Sequence, residues 1–272
     1  MRKLLLHSIL VIVVFACKKD SFDVVNLNGN RITVLGHAGM GIDKNYPMNS
    51  LESVLACLSL GADGTEIDVQ MTKDGVLVAY HDEHLETNTN GLGKIYEQNW
   101  SDISNLRFRY PPFTDYKLQK VEDILVNIPN QHKFVFSFDC KNYNPDTTEA
   151  YHEQFETALF DLIDRFDLGS RCNFENRRID LLKSIKEARP NLNLYVYSHF
   201  ERAMEVALAY NLTGINLPFN SISKEQVAIA HSNNIWVSVF NSHSKQDNVI
   251  AFEKNVDIVQ TDKVKHALKI RQ

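Results

Sequence analysis

The sequence predicts an α/β fold, a (β/α)8 TIM barrel with an inserted hairpin and loop segment after the second strand. Three observations carry this. Eight short apolar runs alternate with amphipathic helical segments across residues 31–272, and no low-complexity tract or long Pro/Gly/Ser linker interrupts them. Several runs are apolar on both faces, as strands buried in a barrel wall are. The chain has 272 residues, 44% of them hydrophobic, with 15 Phe and 10 Tyr, which is enough for one large domain with a well-buried core, or two small ones, and argues against disorder.

Residues 1–16 read as an export signal. Arg2 and Lys3 precede the almost wholly apolar run Leu4 to Phe15, which is shorter than the roughly 20 residues a membrane span needs. The run ends Val14-Phe15-Ala16-Cys17, followed by Lys18-Lys19-Asp20. This resembles a bacterial lipoprotein signal, in which Cys17 becomes the lipidated first residue. An ordinary signal peptide cut near Ala16, or an uncleaved anchor, is the alternative. Residues 17–30 then form the lipidated cysteine and a polar tether, and 31–272 the barrel domain. The expectation is an exported protein, lipid-anchored to a bacterial membrane on its periplasmic or cell-surface side, whose domain is itself soluble.

The strands are expected at 32–37, 64–69, 134–140, 171–175, 193–198, 214–217, 235–240 and 257–260. Asn49 and Glu52 read as a capping box for a helix burying Leu51, Val54, Leu55 and Leu58. The longest helix, about 147–167, places Tyr151, Phe155, Leu159, Leu162 and Phe166 at helical spacing. Further helices fit 179–188, 201–210, 223–233 and 244–254, with Pro190 as a stop signal. Segment 70–131 breaks the repeat around an excursion, 83–119. That excursion reads as an insertion over the mouth, with Trp100, Tyr110, Pro111, Pro112 and Phe113 either as lid residues or as packing against the barrel. The net charge of −5, without a basic stripe, disfavours a nucleic-acid binder. Cys57, Cys140 and Cys172 match no zinc spacing and read as buried small hydrophobes.

The chemistry concentrates between residues 36 and 82. In the strand Thr65-Glu66-Ile67-Asp68-Val69, Glu66 and Asp68 share a face, roughly 7 Å apart along it, while Ile67 and Val69 face the helices. Two acids facing into a barrel call for a cation or a proton. The turn signal Asp74-Gly75 reverses the chain, so that His81 returns opposite Asp68, within a residue, with Asp82 beside it. His37 ends the first strand and lies next to that acidic pair across one strand spacing. Gly36 and Gly39 allow close backbone approach there. Asp139 and Lys141 share a face at the end of the third strand. They read either as a surface ion pair or as a third metal ligand and a phosphate contact. Carboxylates without a Cys/His cluster suit one hard divalent ion, Mg²⁺ or Ca²⁺.

GlyHisAlaGly (36–39), ProMetAsnSer (47–50), GluIleAspVal (66–69), ThrLysAspGly (72–75), HisAsp (81–82), PheAspCysLys (138–141) and ValAspIleValGlnThrAsp (256–262) together resemble the glycerophosphodiester phosphodiesterase family, over roughly residues 31–265. The resemblance implies a (β/α)8 barrel that cleaves glycerophosphodiesters to glycerol 3-phosphate and an alcohol. It implies His37 and His81 as the acid/base pair, Glu66, Asp68 and Asp139 as metal ligands, and Lys141 as a substrate contact near the phosphate. Three positions depart from the pattern. Ala38 stands where the family has an arginine, Met48 where it has a glutamate, and Asp139 where it has the longer glutamate. The expected substrate is a small glycerophosphodiester. The alternatives are a phospholipase acting on inositol lipids or lysophospholipids, and a non-catalytic lipoprotein that captures phosphodiesters.

Overall fold

The computed structural model describes residues 22–42 and 45–271. The strands are β1 (Thr33–Gly36), β2 (Gly64–Met71), β3 (Leu77–Ala79), β4 (Gln119–Lys120), β5 (Val135–Cys140), β6 (Cys172–Asn176), β7 (Asn193–Tyr197), β8 (Gly214–Pro218), β9 (Trp236–Ser242) and β10 (Ile258–Thr261). The helices are α1 (Leu51–Ser59), α2 (Trp100–Ile103), α3 (Val121–Val126), α4 (Glu149–Arg165), α5 (Ile179–Ala188), α6 (Phe200–Ala209), α7 (Lys224–Ser232), α8 (Lys245–Glu253) and α9 (Val264–Arg271).

Eight strands run parallel in the order β1-β2-β5-β6-β7-β8-β9-β10, and β10 returns to β1, which closes the barrel. Every strand read from the sequence lies within two residues of its expected place. The alternation explains why. Ile67, Val69, Phe136, Phe138, Phe174, Val237 and Val239 point outward beneath the helices, where burial of each apolar side chain contributes about 1.5–3 kcal/mol. Helices α2, α3 and α9 do not appear among the expected ones; at 4, 6 and 8 residues they are too short for a clear helical period. Cys57, Cys140 and Cys172 are buried and free, as expected of small hydrophobes.

The start of α1 differs from the expected capping box. Ser50, in extended backbone, is the N-cap, and its Oγ accepts from the Ser53 N–H. Asn49 sits in the left-handed region at φ 63° and sends its amide to Asp68 instead. Its Oδ1, the atom that would cap a helix, accepts the buried Asp68 N–H.

The insertion begins with a hairpin. β2 pairs with β1 only at Gly64 and Thr65, so its upper half is free to pair antiparallel with β3, Val69 opposite Ala79, and β3 in turn with β4. The hairpin thus wedges between β1 and β2 at the C-terminal mouth. Behind it Val78, Tyr80, Leu85, Ile95, Ile103 and Leu118 form a separate small core, with Trp100 packed against it. The packing alternative therefore holds for Trp100. Tyr110 is 54% exposed, and Phe113 packs on Tyr116. Residues 22–30, read from the sequence as tether, lie against the opposite end of the barrel. Phe22 packs edge-on to Phe252, the Asn26 amide donates to the Val256 carbonyl, and the Leu27 N–H donates to Asp257. The export signal of 1–16 and the lipidation expected at Cys17 lie outside the described residues.

Candidate active site

A cleft of about 470 Å³ opens at the C-terminal ends of the barrel strands, and His37, Glu66, His81, Asp139 and Lys141 all line it. This is where side chains from several parallel strands converge. Glu66 and Asp68 project inward from β2, each only 1% exposed. Asp139 stands beside Asp68 in the parallel β2–β5 register. One oxygen from each of Glu66, Asp68 and Asp139 lies within 4.8 Å of the others.

Each carboxylate has a distinct second contact. The Ala38 N–H donates to Glu66 Oε2 at 2.8 Å, while the buried Oε1 has no partner among the described residues. The Asn49 amide donates to Asp68 Oδ2 at 2.7 Å, and Asn49 Oδ1 accepts the Asp68 backbone N–H at 3.0 Å. Lys141 Nζ lies 2.6 Å from Asp139 Oδ2 and 3.2 Å from Asp68 Oδ1. Lys141 and Asp139 are thus an ion pair, but one set into the cleft and shared with Asp68.

Burial, with repulsion from Asp68 and Asp139, holds the Glu66 carboxyl well above the usual range. Burial and Asp68 likewise raise Asp139, against the pull of Lys141. For Asp68 burial acts upward too, but Lys141, His81 and His37 outweigh it and its pKa falls. Lys141 is held protonated. Burial disfavours its charge, yet Asp68 and Asp139 more than offset this. One ammonium therefore faces three acids at the floor of the cleft.

The two histidines flank this cluster. Ala38 at φ 45° and Gly39 at φ 91° turn the chain sharply after β1. A Cβ at Gly36 would lie 2.0 Å from the Gly39 carbonyl oxygen, so glycine is required there. The turn leaves His37 at the cleft with Nδ1 2.8 Å from Asp262 Oδ1. His81 follows β3, where the Tyr80 N–H donates to the Asp68 carbonyl, one residue from the expected register. Its Nδ1 lies 3.1 Å from Asp82 Oδ1, so Asp82 does contact the imidazole. That hydrogen bond raises the His81 pKa, with a smaller contribution from Asp68 and against a cost of burial. The Gln70 amide braces the turn by donating to the Tyr80 and Asp82 carbonyls.

Sequence reasoning missed four contributors. Asp262, after β10, holds both His37 and His243, the latter through Nδ1 at 2.7 Å. His243, after β9, lies 5.8 Å from His37 between ring centroids. The signal for Asp262 was present: Thr261 pairs with Gly36 in register, so the residues that follow each strand meet at the mouth. Asn49 was read as a helix cap. Glu175, deep under the cluster, accepts from Ser137, Asn216 and Gln260, and burial with Asp139 nearby pushes its pKa up to about 8. The insertion supplies Tyr80, Asn88 and Phe108 to the cleft, whereas Trp100, Tyr110, Pro111, Pro112 and Phe113 are not among its lining residues.

Residues 40–266 match the profile of the glycerophosphoryl diester phosphodiesterase family. The chain belongs to that family. As a glycerophosphoryl diester phosphodiesterase family member it is a phosphoric diester hydrolase. A glycerophosphodiester phosphodiesterase of Bacillus altitudinis is 26% identical over 244 residues, covering 86% of this chain and 97% of the relative. The crystal structure of a family protein from Silicibacter pomeroyi superposes with TM-score 0.78 at 20% identity, covering 89% of this chain and 93% of that one. An Oleispira antarctica phosphodiesterase, solved in complex with its product sn-glycerol-3-phosphate, gives TM-score 0.76 at 18% identity, covering 88% and 96%. The last two show the shared fold.

Within this glycerophosphodiesterase framework the three departures have structural consequences. Ala38 is fully buried and offers only backbone, its N–H to Glu66 and its carbonyl to the Asn49 N–H. Met48 lines the cleft with an apolar side chain. The shorter Asp139 still converges with Glu66 and Asp68, because the register sets it directly beside Asp68.

Proposed function

We propose that this protein hydrolyses small glycerophosphodiesters to glycerol 3-phosphate and an alcohol, with His37 and His81 as base and acid. The observation that carries the reading is the convergence of two carboxylate-tethered imidazoles on one three-carboxylate cluster. Glu66, Asp68 and Asp139 would hold a divalent cation. The unpartnered buried Oε1 of Glu66 and the all-oxygen donor set fit a hard ion such as Mg²⁺ or Ca²⁺. When bound, such an ion supplies positive charge to the phosphoryl oxygens as negative charge develops there.

The chain's own groups do the rest. With the His37 Nδ1–H donating to the ionised Asp262, the lone pair of the neutral imidazole falls on Nε2, ready to take a proton from the attacking hydroxyl. Attack by water gives the products directly. Attack by the substrate's own glycerol hydroxyl gives a cyclic phosphate first. His81, whose proton the hydrogen bond to Asp82 favours, donates to the departing alcohol. Lys141 supplies a fixed ammonium beside the transferring group.

The test is release of phosphomonoester from glycerophosphoinositol and glycerophosphoglycerol by wild type, His37→Ala and His81→Ala. Turnover should fall about 10²–10⁴-fold in each variant. Near-normal activity in both would remove the assignment.

We also propose export and lipid attachment at Cys17. No helix among the described residues is long and apolar enough to cross a membrane. The few residues between Cys17 and Phe22 span under about 20 Å, and Phe22 packs at the end of the barrel opposite the cleft. An anchor there turns the mouth away from the bilayer, which favours water-soluble diesters over intact phospholipid. Cys17→Ser should move the protein from the membrane to the soluble fraction, and micellar phosphatidylinositol should be a poor substrate beside glycerophosphoinositol. Unchanged fractionation would remove the anchor, and equal turnover of the micellar lipid would remove the preference for soluble diesters.

A further inference from the structure

We infer that Arg177 is a specificity-determining residue that selects glycerophosphodiesters whose alcohol carries an additional anionic group. The inference rests on the proposed glycerophosphodiesterase reaction and names the class of head group. Two adjacent arginines follow β6 and behave differently. Arg178 is tied down by the Asp180 carboxylate, the Asp146 carbonyl and His152. Arg177 lines the cleft, is exposed, and has neither an ion pair nor a hydrogen bond among the described residues. Its guanidinium instead lies 4.1 Å from the centroid of the Tyr197 ring. Phe240 packs edge-on against Tyr197, with centroids 5.0 Å apart at 84°, and fixes that ring. The guanidinium is therefore oriented by stacking while its N–H donors stay unspent, a pre-organised anion grip.

Its position separates it from the cleavage chemistry. Asp139 pairs with Glu175 in the β5–β6 register, so Lys141 and Arg177, two residues on, stand side by side with the same inward parity. Lys141 turns back to Asp68 and Asp139. Arg177 leans the other way, onto β7. In the closed strand order β7 and β9, which carry Tyr197 and Phe240, flank β8, the strand directly across from β2 and its carboxylates. A phosphodiester seated between His37, His81 and Lys141 thus has Arg177 within the same cleft, on the side away from the β2 carboxylates, for one of its substituents. The stacked cation also covers a face of Tyr197 that a quaternary ammonium would otherwise occupy, and repels a choline head group.

A matched pair tests this: glycerophosphoinositol against glycerophosphoinositol 4-phosphate, with glycerophosphocholine alongside, in wild type, Arg177→Gln and Arg177→Lys. The phosphorylated diester should be preferred about tenfold in kcat/KM, mainly through KM, as a charge-assisted contact at an open site allows. The preference should vanish in R177Q and return in part in R177K, and glycerophosphocholine should gain relative to the others in R177Q. A ratio that does not change with Arg177, in an enzyme that turns over all three, overturns the inference and leaves the reaction intact. Calorimetric binding of the same diesters to wild type and R177Q separates the two readings. Selective binding lost in R177Q, without turnover of any diester, supports the subsite and refutes the hydrolase reading. Equal binding by both proteins overturns the subsite whatever the turnover.

Discussion

Replacing Asp262 with Asn probes the least obvious part of the site. The carboxylate accepts from two imidazoles, His37 at 2.8 Å and His243 at 2.7 Å, one on each oxygen. An Asn side chain has the same shape but one acceptor oxygen and one NH₂ donor. One of the two imidazoles must then present an Nδ1 lone pair and move its proton to Nε2. When His37 makes that change, its cleft-facing nitrogen is no longer a base. Loss of a positioned base is worth about 10²–10⁴-fold. Because the two rings compete for the remaining acceptor, and the neutral amide no longer stabilises the imidazolium that forms as His37 takes the proton, a fall in kcat of about 10²-fold is expected, equivalent to about 2.7 kcal/mol of barrier, with KM little changed. A second change sharpens the test. Adding His243→Ala to D262N removes the competitor, so the single oxygen accepts from His37 again and about tenfold of the loss should return. The assay is steady-state release of glycerol 3-phosphate, with thermal unfolding as a check that both proteins fold. If D262N keeps more than half of the wild-type kcat, Asp262 does not set the His37 tautomer.

Three other perturbations follow from contacts around the cleft. Asp82 holds a proton on His81 and raises its pKa, so the acid form persists to higher pH. Asp82→Asn should move the alkaline limb of kcat/KM to lower pH, and an unmoved limb would mean that His81 is not the acid. Glu66→Gln keeps an acceptor for the Ala38 N–H and removes one charge from a buried acidic cluster. It should stabilise the cation-free protein by about 1–2 kcal/mol in denaturant titration while abolishing the rise in Tm on adding Mg²⁺ or Ca²⁺; a cation-dependent Tm rise that persists in E66Q would remove Glu66 from the ligand set. Asn49→Ala loses two buried hydrogen bonds to Asp68 and puts a Cβ-bearing residue without a compensating amide at φ 63°. A loss of about 2–4 kcal/mol is expected, and a loss under 0.5 kcal/mol would show that the Asn49–Asp68 pair contributes little to stability.

What the sequence made legible was local or repetitive. Glu66, Asp68 and His81 are joined by one strand, one Asp-Gly turn and a hairpin, and period-2 counting brings them together without any tertiary knowledge. His37 required only that β1 and β2 be neighbours. Asp262 and His243 lie more than 200 residues from His37 and meet it only because the barrel closes. The split pairing of β2, with β1 below and β3 above, has no sequence signature, and it decides how the hairpin enters the mouth. Asn49 misled because the same residue type that caps helices also hydrogen-bonds carboxylates, and burial of Asp68 tipped the choice. The aromatic residues of the insertion misled for a related reason. Apolar rings in a long loop indicate packing, and the small core behind β3 took Trp100 while Asn88 and Phe108 reached the cleft.

The most direct test of the claim that three carboxylates hold a cation for two imidazoles to work beside is phosphorus NMR. The enzyme would be incubated with glycerophosphoinositol after exhaustive chelation, then after restoring Mg²⁺ or Ca²⁺. No glycerol 3-phosphate signal is expected in chelator, the signal should appear once the ion returns, and a Glu66→Gln, Asp68→Asn double variant should give none at any ion concentration. Undiminished hydrolysis in the chelated protein would contradict that claim.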